Sequence, residues 1–137
     1  MAYDEGLRSI TLLADASIGI FTGPPGIAGS AVPNGGKQFC FVKVVPGVQT
    51  VGLATHATNE VVAGVLQNKP QHVGDAATVG IAGVTLVQAG ATFAGGEQVK
   101  SSATGTAAVG TAGTDGVLGI ALTAGAAGEL ISVLLKV

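Results

Sequence analysis

The chain has 137 residues, of which 47% are hydrophobic and 10% are charged, and its formal net charge is −2. Because typical soluble proteins carry about 25% charged residues, much of this surface must be neutral or covered by a partner protein. The six basic residues are scattered singly, which argues against nucleic-acid binding, and one cysteine, Cys40, cannot form an internal disulfide.

Neither of the two long uncharged stretches, 16–36 and 76–96, reads as a membrane span. Both contain several glycines, and the first also contains three prolines, so neither offers the roughly 20 predominantly apolar residues that a spanning helix needs. The chain begins Met-Ala-Tyr-Asp-Glu, which is acidic where a signal peptide is basic. We therefore expect a soluble cytosolic product with no membrane partner.

Residues 1–36 differ in character from the rest of the chain. Residues 7–13 have the composition of one short strand, and the following segments Thr-Gly-Pro-Pro-Gly and Pro-Asn-Gly-Gly prevent helix and central strand alike. We predict an N-terminal arm and a Pro/Gly-rich loop over 1–36, ahead of a β-rich domain over 37–137. A disordered tail is the alternative. An arm that stands apart could be deleted, over about residues 1–15, without loss of the fold.

Strand signals begin at Lys37. Residues 39–45 are rich in aromatic and β-branched side chains, stop at Pro46-Gly47 and resume over 48–54, which predicts a hairpin. The 23 glycines disfavour long helices. The sequence predicts an all-β fold, a small β-barrel or a β-tulip-like or sandwich domain of short antiparallel strands with an extended N-terminal arm. The further predicted strands are 61–67, 76–81, 84–88, 97–101, 117–122 and 129–135.

The last two predicted strands supply the candidate packing residues. In 117–122 the bulky side chains alternate with small ones, and in 129–135 both faces are largely apolar. The predicted core or subunit-interface positions are Leu118, Ile120, Leu122, Ile131, Val133 and Leu135. The low-complexity stretch 101–114 is open to two interpretations, a flexible linker or a weak strand and loop.

The sequence offers no arrangement of catalytic or ligand-binding residues. His56 and His72 lie in polar links typical of exposed loops, and Cys40 lies in an apolar run that suits a buried thiol. The adjacent pair Asp4-Glu5 cannot face each other across a cleft, and no spacing matches a metal site or a phosphate-binding loop. We predict that the chain is not an enzyme and uses no cofactor or metal.

The order of short motifs from residue 61 onward resembles the capsid cement, or head decoration, proteins of tailed bacteriophages. The motifs are Val-Val-Ala-Gly-Val-Leu-Gln-Asn-Lys-Pro, Gly-Asp-Ala-Ala-Thr-Val, Gly-Val-Thr-Leu-Val-Gln-Ala-Gly-Ala, Gly-Gly-Glu-Gln-Val, Val-Leu-Gly-Ile-Ala-Leu and Gly-Glu-Leu-Ile-Ser-Val-Leu-Leu. They cover a little over half of the chain. No family pattern is evident in residues 1–37.

The resemblance implies a β-rich homotrimer on the outer surface of the phage head, where it stabilises the expanded, DNA-filled shell. Its partners would be the major capsid protein and further copies of itself. A free N-terminal strand could add to a sheet edge of a shell subunit, and the candidate capsid-binding residues of that arm are Leu7, Arg8, Ile10, Leu12 and Leu13. The alternative is a β-rich adhesin or fibre module on the virion that binds a host receptor or glycan. A small hydrolase is the third and weakest interpretation.

Overall fold

The computed structural model of the chain describes residues 7–20, 37–57, 60–111 and 116–135. These residues form nine β-strands and no helix. The all-β class predicted from the sequence is therefore confirmed. The strands are β1 (Arg8–Ala14), β2 (Phe41–Val45), β3 (Thr50–Leu53), β4 (Val62–Leu66), β5 (Ala76–Gln88), β6 (Gln98–Ser101), β7 (Ala107–Val109), β8 (Gly119–Ala121) and β9 (Leu130–Leu135).

The first five strands close into a barrel. Their hydrogen-bonded order is β1–β3–β2–β4–β5, and β5 pairs back onto β1 to complete the ring. β2 and β3 form the predicted antiparallel hairpin, with Val45 opposite Thr50 and Gly47 in the turn at a φ of 82°. Glycine suits this turn because it reaches positive φ without steric cost. A closed five-stranded barrel with additional strands agrees with the predicted small barrel.

The remaining strands extend from the second half of β5. Residues Gly83–Gln88 pair with β9, which pairs in turn with β8, and β6 and β7 complete the order. The sheet curls back on itself, because Ala107 of β7 bridges to Ala89 just beyond β5. The low-complexity stretch thus contributes a short strand, which supports the second of its two interpretations.

β5 is one strand of 13 residues where the sequence predicted two. The predicted break fell near Gly83, which has a φ of 101°. The strand continues through this residue, but its antiparallel partner changes. Residues up to Ala82 pair with β1, and residues from Gly83 onward pair with β9. The glycine therefore marks a change of neighbour rather than a turn.

Two hydrophobic clusters hold the structure together. The barrel cluster fills the ring, and the second cluster lies between the β5–β9 sheet and the outside of the barrel. Adjacent residues of one strand belong to different clusters: Phe41 packs in the second and Val42 in the barrel. Such strands are buried on both faces. The barrel cluster comprises Ala14, Ile18, Cys40, Val42, Val51, Leu53, Leu66, Ala77 and Val79.

β1 is one of the strands of the barrel, whereas the sequence predicted a separate arm. It runs antiparallel to β5, from Arg8 opposite Ala82 to Leu13 opposite Ala76, and its last two residues pair with β3. Removal of β1 would open the barrel, so we no longer expect a deletion of residues 1–15 to leave the fold intact. The predicted boundary at residue 36 falls outside the described residues.

Within the described ranges, no helix is long and apolar enough to cross a membrane.

Candidate binding surfaces

The five residues predicted to bind a capsid all lie at the β1 edge of the barrel, but they do not share one face. Leu12 packs against the barrel cluster. Leu13, on the opposite side of the strand, is 48% exposed, and Ile10 is 40% exposed. Arg8 is exposed and Leu7 is half-buried. The residues available to a partner are therefore Arg8, Ile10 and Leu13, with Ile10 on the Leu12 side of the strand and Leu13 on the opposite side.

The edge of β1 is also open along part of its length. β3 pairs only with Leu13 and Ala14. Among the described residues, no strand pairs with positions 8–12 on the side away from β5. An edge of this kind can accept an added strand through main-chain hydrogen bonds.

The three predicted residues of β9 are buried in the second cluster. Ile131 and Val133 have no exposed surface, and Leu135 is 6% exposed. In the sheet they are paired with Val87, Thr85 and Gly83 of β5, respectively. These side chains form the centre of the second cluster.

β8 has the opposite orientation from the one its bulky residues suggested. Gly119 and Ala121 point inward, where they pair with Leu135 and Val133. Ile120 is half-buried and Leu122 is 47% exposed, so neither lies in the core, and the other predicted role of these two residues, at a subunit interface, stays a prediction. The reason is steric, because a Cβ on Gly119 would collide with the carbonyl oxygen of Leu134. Leu118, just before β8, is buried in the second cluster as predicted for a core position.

The outer face of these strands forms a continuous apolar surface, which we call the leucine face. Strand pairing sets Val84, Leu134 and Ile120 in one row across β5, β9 and β8. Leu86 lies opposite Ser132 in the next row, and Leu122 donates its N–H to the carbonyl oxygen of Ser132 over 2.7 Å. The leucine face consists of Val84, Leu86, Ile120, Leu122, Leu130, Ser132 and Leu134. In the sequence both faces of 129–135 are largely apolar, which does not show which of the two is exposed.

A groove with charged residues lies on the outside of the barrel. One part, of about 450 Å³, is lined by Lys43, Glu60 and apolar residues of β2, and a second, of about 380 Å³, adjoins Lys37. Asp15 and Lys43 line both parts. The groove leaves no signal in the sequence, because its charged residues are far apart in the chain and belong to no motif.

Glu60 organises the loop beside that groove. Its carboxylate accepts hydrogen bonds from the Thr55 N–H and hydroxyl, both at 2.8 Å, and from the His56 N–H at 3.0 Å. Burial would raise the pKa of this carboxyl, but those hydrogen bonds and the nearby Lys43 outweigh it and hold the pKa below its usual value. The ionised carboxylate therefore holds the backbone of residues 55 and 56 in place.

The other candidate reactive residues, His72 and Cys40, also take part in the packing and hydrogen bonding of the fold. His72 accompanies Asp75, whose carboxylate accepts its backbone N–H at 3.0 Å and that of Gln71 at 3.2 Å. Cys40 is buried in the barrel cluster, and burial raises the pKa of its thiol. Across the part of the chain that the structure describes, no three His, Cys, Asp or Glu residues lie close enough to hold a metal ion.

Comparison with known proteins finds a likeness of fold alone. A crystal structure of the head fiber gp8.5 N base of bacteriophage phi29 is similar, with a TM-score of 0.59 and 15% sequence identity. The superposition covers 94% of this chain and 95% of that chain. A scan of protein families finds no match, and a search of curated proteins finds no relative.

Proposed function

We propose that this chain is a structural protein of a tailed-bacteriophage virion that attaches to the outer surface of the head and cements neighbouring major capsid subunits. The observation that carries the proposal is the likeness, over nearly the whole of both chains, to the base of a phage head fiber. The order of short motifs that resembles cement proteins points to the same compartment. The protein is made in the host cytoplasm and acts without turnover.

The β1 edge is the proposed contact with the major capsid protein. It combines exposed apolar side chains, Ile10 and Leu13, with backbone positions 8–12 that no described strand pairs on the side away from β5. A strand of a shell subunit can hydrogen-bond to that backbone while the side chains fill pockets beside it. This arrangement differs from the free arm expected from the sequence, because β1 offers an edge to the partner without leaving the barrel.

We further propose that the protein binds as a homotrimer. Three β1 edges held together act as one multivalent ligand, so weak individual contacts combine where the shell subunits match the spacing of the trimer. The low content of charged residues suits a chain with extensive interfaces, since charges are depleted at interface centres.

The test is co-sedimentation of the purified protein with mature heads that lack it. We expect saturable binding by the natural chain and strongly reduced binding by Leu13→Glu, which places a charge at the contact without disturbing the core. Val109→Glu is the matched control, because Val109 is 42% exposed on β7, which pairs with β6, whereas β1 pairs with β3 and β5. Equal binding by all three proteins would refute the β1 contact, and no binding by the natural chain would refute the cementing role.

The second candidate is a fibre or adhesin module on the virion surface that binds a host receptor or glycan. The likeness to a fiber base favours it specifically. It predicts binding of the isolated protein to host cells or their surface glycans. A cement protein without such a role would bind heads but not cells.

A further inference from the structure

We propose that the leucine face is the surface through which copies of this chain associate, so that it surrounds the symmetry axis of the oligomer. The inference rests on the proposed homotrimer and identifies the contact that builds it. The face is exposed in the single chain: Leu86, Leu122, Leu130 and Leu134 have exposed fractions of 40%, 47%, 48% and 37%. Contiguous apolar surface of this kind marks an interaction site.

The pairing of the strands limits what can cover the face. β9 is hydrogen-bonded on both sides, to β5 and to β8. Extended peptides dock at sheet edges by adding a strand. The backbone of β9 has no free edge and therefore cannot accept one. The face offers side chains only, and its occupant must be another apolar surface.

Charge favours a second copy as that surface. None of the seven residues of the leucine face is charged. A partner with an ordinary surface, about 25% charged, would bring ionised groups against leucines, and burying an unpaired charge is costly. Further copies of the same face bring apolar side chains instead, and in a trimer the three faces meet around the symmetry axis.

The size of the face fits the centre of such an interface. A stable association buries about 800 Å² on each partner, which is more than seven positions on three strands provide. Next to Ile120 the sheet continues into β6, where Gln98 pairs with Ile120 and Lys100 follows on the same side. An apolar centre with a polar margin is the usual anatomy of a protein interface.

The experiment measures the mass of the protein in solution by sedimentation over a wide range of concentrations. We expect an oligomer for the natural chain and, for Leu134→Glu and Leu86→Glu, self-association weakened at least about 100-fold, because each places an unpaired carboxylate in the contact. Val48→Glu is the matched control, since Val48 is 57% exposed in the β2–β3 turn, and it should associate like the natural chain. Circular dichroism checks that the variants are folded.

The outcomes separate this inference from the proposed function. A natural chain that stays monomeric, or folded glutamate variants that associate normally, would overturn the inference even if the protein binds heads. Monomeric glutamate variants beside an oligomeric natural chain and control would support it even if no form binds heads, in which case the cementing role fails by itself.

Discussion

At the scale of single residues, Glu60 shows how a charged group is used to build a loop. Its side chain is 4% exposed, and three hydrogen bonds from Thr55 and His56 converge on it. His56 has a φ of 57°, a left-handed conformation that a non-glycine residue adopts only when its surroundings impose it. Lys43 adds little, because its ammonium is 3.7 Å away and its side chain is 34% exposed.

We predict that Glu60→Gln lowers the free energy of unfolding by about 1–3 kcal/mol at neutral pH, the usual cost of losing hydrogen bonds to a charged group. The depressed pKa of Glu60 adds a dependence on pH. Its contribution is fully present above the pKa of the unfolded chain, about 4.3, and is lost as the pH falls through the lower pKa of the folded chain.

Urea unfolding of the natural chain and of Glu60→Gln across this acidic range measures both effects. The difference in stability between the two proteins should shrink as the pH falls. Glu129→Gln serves as the control, since Glu129 is exposed and its carboxylate accepts one short-range hydrogen bond, from the Ala126 N–H. A constant difference across the range would contradict this account of Glu60.

At the scale of elements, β9 provides the central side chains of the second cluster. We predict that Ile131→Ala costs about 2–5 kcal/mol of stability, because it removes buried methyl groups and leaves a cavity. Leu130→Ala, one position along and 48% exposed in the single chain, should cost the monomer less than about 1 kcal/mol. Denaturant unfolding of both variants checks the contrast, and a similar loss for the two would show that β9 does not present its odd-numbered residues to the core.

The alternation of residues predicted β9 better than β8, for a physical reason. In β9 both faces are apolar, so the sequence of the strand alone does not determine which face packs in the core. The structure shows that the predicted odd-numbered residues face inward. In β8 the bulky residues suggested the inward face, but the space beside Gly119 is already filled by the Leu134 carbonyl oxygen and the Val133 side chain of β9. Packing across strands decides such cases, and a single strand does not contain that information.

The same limit applies to the candidate surfaces. The strand character of residues 7–13 was evident from composition, whereas its pairing with β5, some 70 residues further along the chain, was not. The leucine face combines side chains from three strands separated in sequence. Glycine and proline positions could define the turns, because those residues act locally.

At the scale of the whole molecule, the proposed cementing role acts through linkage. A protein that binds only the assembled shell stabilises it as its occupancy rises. We therefore predict that heads stripped of the protein lose packaged DNA at a lower temperature than decorated heads, and that adding the protein back restores the difference until its sites are full. Release of DNA on heating, followed with a dye, measures this.

The control for that measurement is Leu13→Glu added at the same concentration. If β1 forms the contact, this variant should fail to protect the heads, while Val109→Glu should protect them fully. Identical release temperatures for stripped and decorated heads would favour the fibre or adhesin role instead.

β5 belongs to both halves of the structure, since its first half completes the barrel and its second half begins the other sheet. Neither half can separate from the other without exposing part of this strand and the cluster behind it. We therefore expect β5 to open only together with the rest of the molecule, so that its buried amides exchange hydrogen with solvent by global unfolding. β5 therefore links the local fluctuations of both halves to the global stability of the protein.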